Sequence, residues 1–231
     1  MKKYSCLLFD LDHTLWDYET NSEETLQTLF HQYELQQKGV SSFKFFFETF
    51  GRINTHLWYL HDKGLIGQQV IREERFHKVL TEAGLEDYAL SLRFSTDYLK
   101  ELPKKKNLLP HAKETLDYLH AKYPMIIVTN GFDEIQSTKL HSAGILHYFK
   151  NIVTSQRAGS KKPSKEIFEF ALGEAGYPNS HAVMIGDNLL TDMAGARTVG
   201  MDSIYFNPTR QPHRENVTFE IESLHELRTL L

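Results

Sequence analysis

From Pro110 to the C-terminus, short apolar runs alternate with amphipathic stretches, and that rhythm admits few architectures. "HAKETLDYLHAKY" (111–123) reads as a helix, "MIIVTN" (125–130) as a strand and "DEIQSTKLHSAG" (133–144) as a helix. "YFKNIVTS" (148–155) contains a short strand, and "PSKEIFEFALGEAG" (163–176) reads as a helix with Pro163 in its first turn. "HAVMIGD" (181–187) is a strand, "LLTDMAGARTVG" (189–200) a helix and "DSIYF" (202–206) a strand. A last strand around Phe219 and a C-terminal helix complete the series. Strands that are apolar on every residue, not on alternate ones, belong to a parallel sheet covered on both faces. The expected fold class is therefore α/β, a doubly wound parallel sheet.

One more strand of this kind, residues 4–10, stands at the other end of the chain. Between it and the alternating region the pattern is helical. "NSEETLQTLFHQYELQQKG" (21–39) offers Asn21 or Ser22 as N-cap and Gly39 as terminator. "FKFFFETFGRINTHLWYLHDKG" (43–64), "GQQVIREERFHKVLTEAG" (67–84) and "EDYALSLRFSTDYLKELP" (86–103) complete a four-helix unit, with "PKKKN" (103–107) as the return linker. The expected organisation is a core domain of residues 1–16 and 103–231, and a helical insertion of residues 17–102. Aromatic side chains at Phe43, Phe45, Phe46, Phe47, Phe50, Trp58 and Tyr59 are expected mostly to fill the core of that insertion.

In open parallel sheets, ligands bind beyond the carboxyl ends of the strands. Here those ends carry reactive groups repeatedly. The first strand runs into Asp10 and Asp12; "MIIVTNG" runs into Thr129 and Asn130; "VMIGDNLLTD" runs into Asp187, Asn188 and Asp192. "SKKPS" adds Lys162 at the start of a helix. Two carboxylates two residues apart on an extended chain point to the same side, where they repel. At about 4 Å, like charges repel by on the order of 4 kcal/mol at an effective dielectric of 20. Four such acids in one crevice call for a cation, and an all-oxygen set suits Mg²⁺ with a substrate phosphate. Lys162, Thr129 and Asn130 would then meet the phosphoryl oxygens. One member of the first pair can attack phosphorus while the other moves protons.

Taken alone, Thr129 and Asn130 would suit a helix N-cap, Lys162 a solvated surface, and Asp192 a helix N-terminus. Taken together and in order, "DLDHT" (10–14), "TNG" (129–131), "KKP" (161–163) and "GDNLLTD" (186–192) resemble the four signatures of the haloacid dehalogenase-like hydrolase superfamily. That resemblance implies a Rossmann-like core, and it makes the insertion similar to the superfamily's helical C1 cap, which would close over the sheet end. It implies Asp10 as nucleophile and Asp12 as general acid/base, with Asp12 also offering its backbone carbonyl to Mg²⁺. It implies Asp187 as the main acidic metal ligand and Asp192 as its companion. It assigns Lys162 to the nucleophile and phosphoryl group; of the pair Lys161–Lys162, Lys162 precedes Pro163 as in the family pattern. Trp16 and Tyr18, on the way into the cap, are expected at the entrance, and Thr14 as a support for the loop.

A narrower resemblance rests on "TNGFDEIQSTKLHSAGILHYF" (129–149), "LWYLHDKGLIGQQVIREERF" (57–76) and "SLHELRTLL" (223–231), which look like the noncanonical pyrimidine 5′-nucleotidase subfamily. It implies a phosphomonoesterase acting on nucleoside 5′-monophosphates. Other readings in the same superfamily are a sugar-phosphate or phosphoglycolate phosphatase, a phosphomutase and a haloacid dehalogenase. A phosphate-sensing protein without turnover, or a receiver domain, would come from other classes.

Composition narrows the partners. The formal net charge is -4, which gives no general attraction for nucleic acid or anionic membrane. The single cysteine, Cys6, excludes an internal disulfide, and no signal peptide or membrane-spanning run is legible, so a cytoplasmic setting is expected. The 12 histidines show no HxH or HExxH spacing and give no metal-site expectation from sequence.

Overall fold

The computed structural model describes residues 4–178 and 181–231. The chain divides into two compact units, one made of Met1–Tyr18 and Lys106–Leu231, the other of Glu19–Lys105.

The first unit is built on β1 (Cys6–Phe9), β2 (Met125–Thr129), β3 (Phe149–Thr154), β4 (Ala182–Gly186), β5 (Asp202–Phe206) and β6 (Phe219–Ile221). All five pairings are parallel, in the order β3-β2-β1-β4-β5-β6. Leu7 pairs with Met125 on one side and Val183 on the other, so β1 is hydrogen-bonded along both edges. Every residue of β1, β2 and β4 is buried, which is why these strands read as unbroken apolar runs. Cys6 and Leu8 point into a cluster with Ile167, Phe168 and Leu172 of the helix Lys165–Ala175, while Leu7 and Phe9 point to the opposite face. Each such side chain contributes roughly 1.5–3 kcal/mol by leaving water.

The second unit holds most of α1 (Tyr18–Gln32) together with α2 (Phe43–Asp62), α3 (Gln68–Glu82) and α4 (Tyr88–Glu101). Ser42 caps α2 by accepting from Phe45 N, and Asp87 caps α4 by accepting from Leu90 N. Phe46, Phe50, Phe76, Phe94 and Tyr98 form its aromatic core. Of the aromatics expected there, Phe45 and Tyr59 are instead exposed. Arg75 is enclosed by this core, its guanidinium carbon 4.8 Å from the Tyr98 ring and 5.0 Å from that of Phe76. Its Nη1 donates to Asn54 Oδ1 at 3.0 Å.

Two expectations about helix starts need correction. Helix α1 begins at Tyr18, so Asn21 and Ser22 are not caps but fully buried residues of its first turns. Ser22 shares a hydrogen bond with Tyr98 OH at 2.8 Å, which uses its hydroxyl for packing instead of capping. The same helix ends at Gln32 because Glu34 turns left-handed (φ 51) well before Gly39. Likewise Pro163 precedes the helix Lys165–Ala175, whose N-cap is Ser164; Pro163 follows Lys162 through a cis peptide bond.

The remaining elements of the first unit are α5 (Ala112–His120), α6 (Asp133–Ser142), α7 (Ser155–Ala158), α8 (Lys165–Ala175), α9 (Ala194–Thr198) and α10 (Leu227–Leu230). A π-helical turn over Leu189–Met193 leads into α9.

Candidate active site

The strand order reverses between β1 and β4, because the chain adds β2 and β3 on one side of β1 and then crosses to the other. A crevice opens at such a switch point, beyond the carboxyl ends of the two strands. Asp10 follows β1 directly and Asp187 follows β4. Asp10 N donates to Ile185 O at 2.9 Å, which fastens the first acid to the fourth strand.

Lys162 sits at the centre. Its Nζ lies 2.5 Å from Asp10 Oδ1 and 2.6 Å from Asp192 Oδ1, and its side chain is 2% exposed. Asn130 holds that lysine in place through the backbone, donating from Nδ2 to Lys162 O at 3.0 Å and accepting on Oδ1 from Lys162 N at 2.9 Å. Asn130 was expected to face phosphoryl oxygens; the structure shows its amide bracketing the Lys162 peptide. Thr129, next to it and buried, accepts on Oγ1 from Gly131 N at 3.0 Å, which leaves its own proton to donate.

Asp192 was grouped from sequence with the metal ligands. Here it accepts from Lys162 on Oδ1 and from Asn188 N on Oδ2 at 3.1 Å, an anchor for the ammonium. Its carboxylate presses against Gly186, where any Cβ would overlap it. Glycine at the end of β4 is thus required by close approach. Asp187 receives a hydrogen bond from Thr14 Oγ1 at 2.9 Å, so Thr14 orients the acid across the crevice.

Asp12 is held by a different lysine. Lys139 Nζ, on α6, lies 2.7 Å from each of its carboxylate oxygens and 4.5 Å above the Trp16 ring. Trp16 is 0% exposed, so the indole forms the floor under this ion pair and does not line an open entrance. Tyr18 is also buried, with its ring 5.0 Å from that of His13. His13 takes a left-handed conformation (φ 64) that folds the loop tightly after the two acids.

Sequence reasoning missed Lys139. A signal was present: the residue lies four positions after Ile135 and three after Gln136, both buried, and therefore on the inward face of α6. A lysine on that face needs an acid, and Asp12 supplies it.

The electrostatics follow from burial. Burial, then the nearby carboxylates Asp192 and Asp12, push Asp10 up to about 7, against the pull of Lys162. Burial and the charge of Asp10 push Asp187 up to about 6. Asp192 is also raised, chiefly by burial. For Lys162 burial works downward, but Asp10 and Asp192 outweigh it, and the ammonium stays charged. Lys162 pairs with Asp10 and Asp192, and Lys139 pairs with Asp12. Asp10, Asp187 and Asp192 offer ligand oxygens within 4.8 Å of one another. Lys162 and Asn188 N take one oxygen each of Asp192, whereas Lys162 takes Oδ1 of Asp10, so Asp10 and Asp187 could hold an ion.

Residues 7–206 match the family model described as haloacid dehalogenase-like hydrolase. Over its full length the chain is 30% identical to the HAD-hydrolase YfnB of Bacillus subtilis, 97% of which is covered. The solved structure of YfnB, bound to magnesium, superimposes with a TM-score of 0.89 over 99% of each chain at 28% identity. The pyrimidine 5′-nucleotidase YjjG of Escherichia coli is 28% identical over 99% of this chain and 98% of its own. The pyrimidine 5′-nucleotidase PynA of Streptococcus pneumoniae is 30% identical over 97% of this chain and 93% of its own. A shared sheet, the four motifs in order and a match over most of the chain lead to one assignment: this protein belongs to the haloacid dehalogenase-like hydrolase family.

Proposed function

We propose that the chain is a Mg²⁺-dependent phosphomonoesterase that works through an aspartyl-phosphate on Asp10, with a pyrimidine nucleoside 5′-monophosphate as substrate. The observation that carries this reading is Lys162 at 2.5 Å from Asp10, beside oxygens of Asp10, Asp187 and Asp192 that lie within 4.8 Å of one another. A group that bound only a cation would have no use for an ammonium in its midst. A group that bound phosphate alone would not concentrate acids.

Asp10 and Asp187 would hold the Mg²⁺, with the backbone carbonyl of Asp12 as a third oxygen. When bound, the ion supplies charge neutralisation at the phosphoryl oxygens and helps fix the ester for in-line attack. Lys162 and the Thr129 hydroxyl take the remaining phosphoryl oxygens. An Asp10 oxygen then forms a bond to phosphorus as the ester oxygen leaves. Asp12 delivers a proton to that oxygen, so the nucleoside departs as a neutral alcohol. In the second half, water attacks phosphorus, Asp12 takes its proton, and the Asp10–phosphorus bond breaks to release phosphate. Asp10 is restored as a carboxylate and Asp12 as the acid that began the cycle.

The pyrimidine nucleotide is favoured by the near full-length likeness to two pyrimidine 5′-nucleotidases. A panel of UMP, TMP, purine nucleotides, sugar phosphates and p-nitrophenyl phosphate, each with Mg²⁺ and with EDTA, separates the levels of this proposal. Fastest phosphate release from UMP or TMP, abolished by EDTA, is the expected result. Faster release from a sugar phosphate would reject the nucleotide, and no Mg²⁺-dependent release from any ester would reject the phosphatase.

A further inference from the structure

Far along the sequence from the acid cluster, three metal-ligating side chains meet on the surface of the first unit. Glu114 Oε1 lies 2.5 Å from His111 Nδ1 and 3.7 Å from His225 Nδ1. The two imidazole rings are 5.6 Å apart at 66°, and one ligand atom from each of the three residues falls within 4.8 Å of the others. We propose that His111, Glu114 and His225 form a second metal site, for a zinc-class divalent ion, that fastens the C-terminal segment to α5.

The donor set argues for the class of ion. Two imidazole nitrogens and one carboxylate oxygen are borderline ligands, which zinc accepts and magnesium does not favour. Zinc–ligand bonds of about 2.0–2.1 Å in a tetrahedron put neighbouring ligand atoms about 3.4 Å apart, a spacing that small rotations of these exposed side chains supply. The fourth position would be open to water, since all three side chains are about half exposed.

The backbones that bring the ligands together are fixed by other interactions. Leu224 and Leu227 are buried, and Leu224 O accepts from Thr115 Oγ1 at 3.2 Å, which docks the C-terminal segment against α5. His225 lies in a single helical turn, Leu224–Glu226, held by a reciprocal cap between Ser223 and Glu226. His111 sits just before α5 in a left-handed conformation (φ 67) that few non-glycine residues adopt.

The test uses the full chain with excess Mg²⁺ to compete at the acid cluster, which rests on the metal site proposed above, and titrates Zn²⁺ by calorimetry. The expected result is one Zn²⁺ per chain whose binding weakens at least about tenfold in both His111→Ala and His225→Ala. Mg²⁺-dependent phosphate release should be the same in both variants as in the wild type. Zn²⁺ should also slow amide hydrogen exchange across 224–231 in the wild type but not in His225→Ala. Unchanged Zn²⁺ affinity in the variants would overturn the proposal, as would exchange at 224–231 that Zn²⁺ leaves untouched in the wild type.

Discussion

Asp10 and Asp12 are two residues apart in sequence, yet they are held by different lysines, Lys162 and Lys139. The difference suits the different duties proposed for them. Lys162 is shared between Asp10 and Asp192 and would steady an attacking group; Lys139 takes both oxygens of Asp12 and would fix the direction of a proton-handling group. Lys139→Met keeps the bulk of the side chain and removes its charge. It should lower kcat about 100-fold on the preferred ester, the low end for lost general acid–base catalysis, while KM changes little. Lys139→Arg should recover part of the rate. Steady-state kinetics on both variants checks this; a normal kcat in Lys139→Met would limit Lys139 to packing. The acids were legible in the sequence because a buried strand that ends in paired carboxylates has no structural motive. Lys139 was legible only as an inward lysine of α6, because its partner lies 127 residues away and no local pattern records that contact. Asp192 shows the same limit, since its sequence position does not say whether it holds an ion or an ammonium.

The elements that position these residues were legible to different degrees. Strands β1, β2 and β4 are buried on both faces, and that is what makes an apolar run stand out. Helix starts were harder. Asn21 and Ser22 have the chemistry of caps but are used inside α1, where Ser22 meets Tyr98 across 76 residues of sequence. Pro163 has the chemistry of a first helical residue but stands before the cap of α8. In both cases tertiary packing decided a choice that local propensity left open. The centrality of β1 has a measurable consequence at Cys6. Burial pushes its thiol up to about 12, and the residue is fully enclosed between β2 and β4. A raised thiol pKa favours the folded state below the unfolded value near 9, and that contribution is lost as pH rises through about 12. At pH 8 the native protein should therefore resist a thiol-specific reagent and react with one equivalent only after unfolding. Rapid native labelling would mean that β1 opens locally.

At the scale of the whole molecule, the site is assembled from the ends of three strands, β1, β2 and β4, and from the turn before α8, none adjacent in sequence except through the sheet. The parallel topology thus turns four short motifs into one cluster. With a net charge of -4 spread over the chain, attraction for the proposed phosphate ester would have to come from that cluster's own lysine and hydroxyl and from the proposed cation. Among the described residues no helix is long and apolar enough to cross a membrane. The proposed mechanism turns on a covalent bond between Asp10 and phosphorus. Rapid quenching of the Mg²⁺-loaded enzyme with its preferred ester, borohydride reduction of the acyl phosphate and peptide mass mapping would read that bond directly. Homoserine at position 10 and at no other acid is the product expected of this mechanism. An unmodified Asp10 under turnover, with the label on another residue or on none, would contradict it.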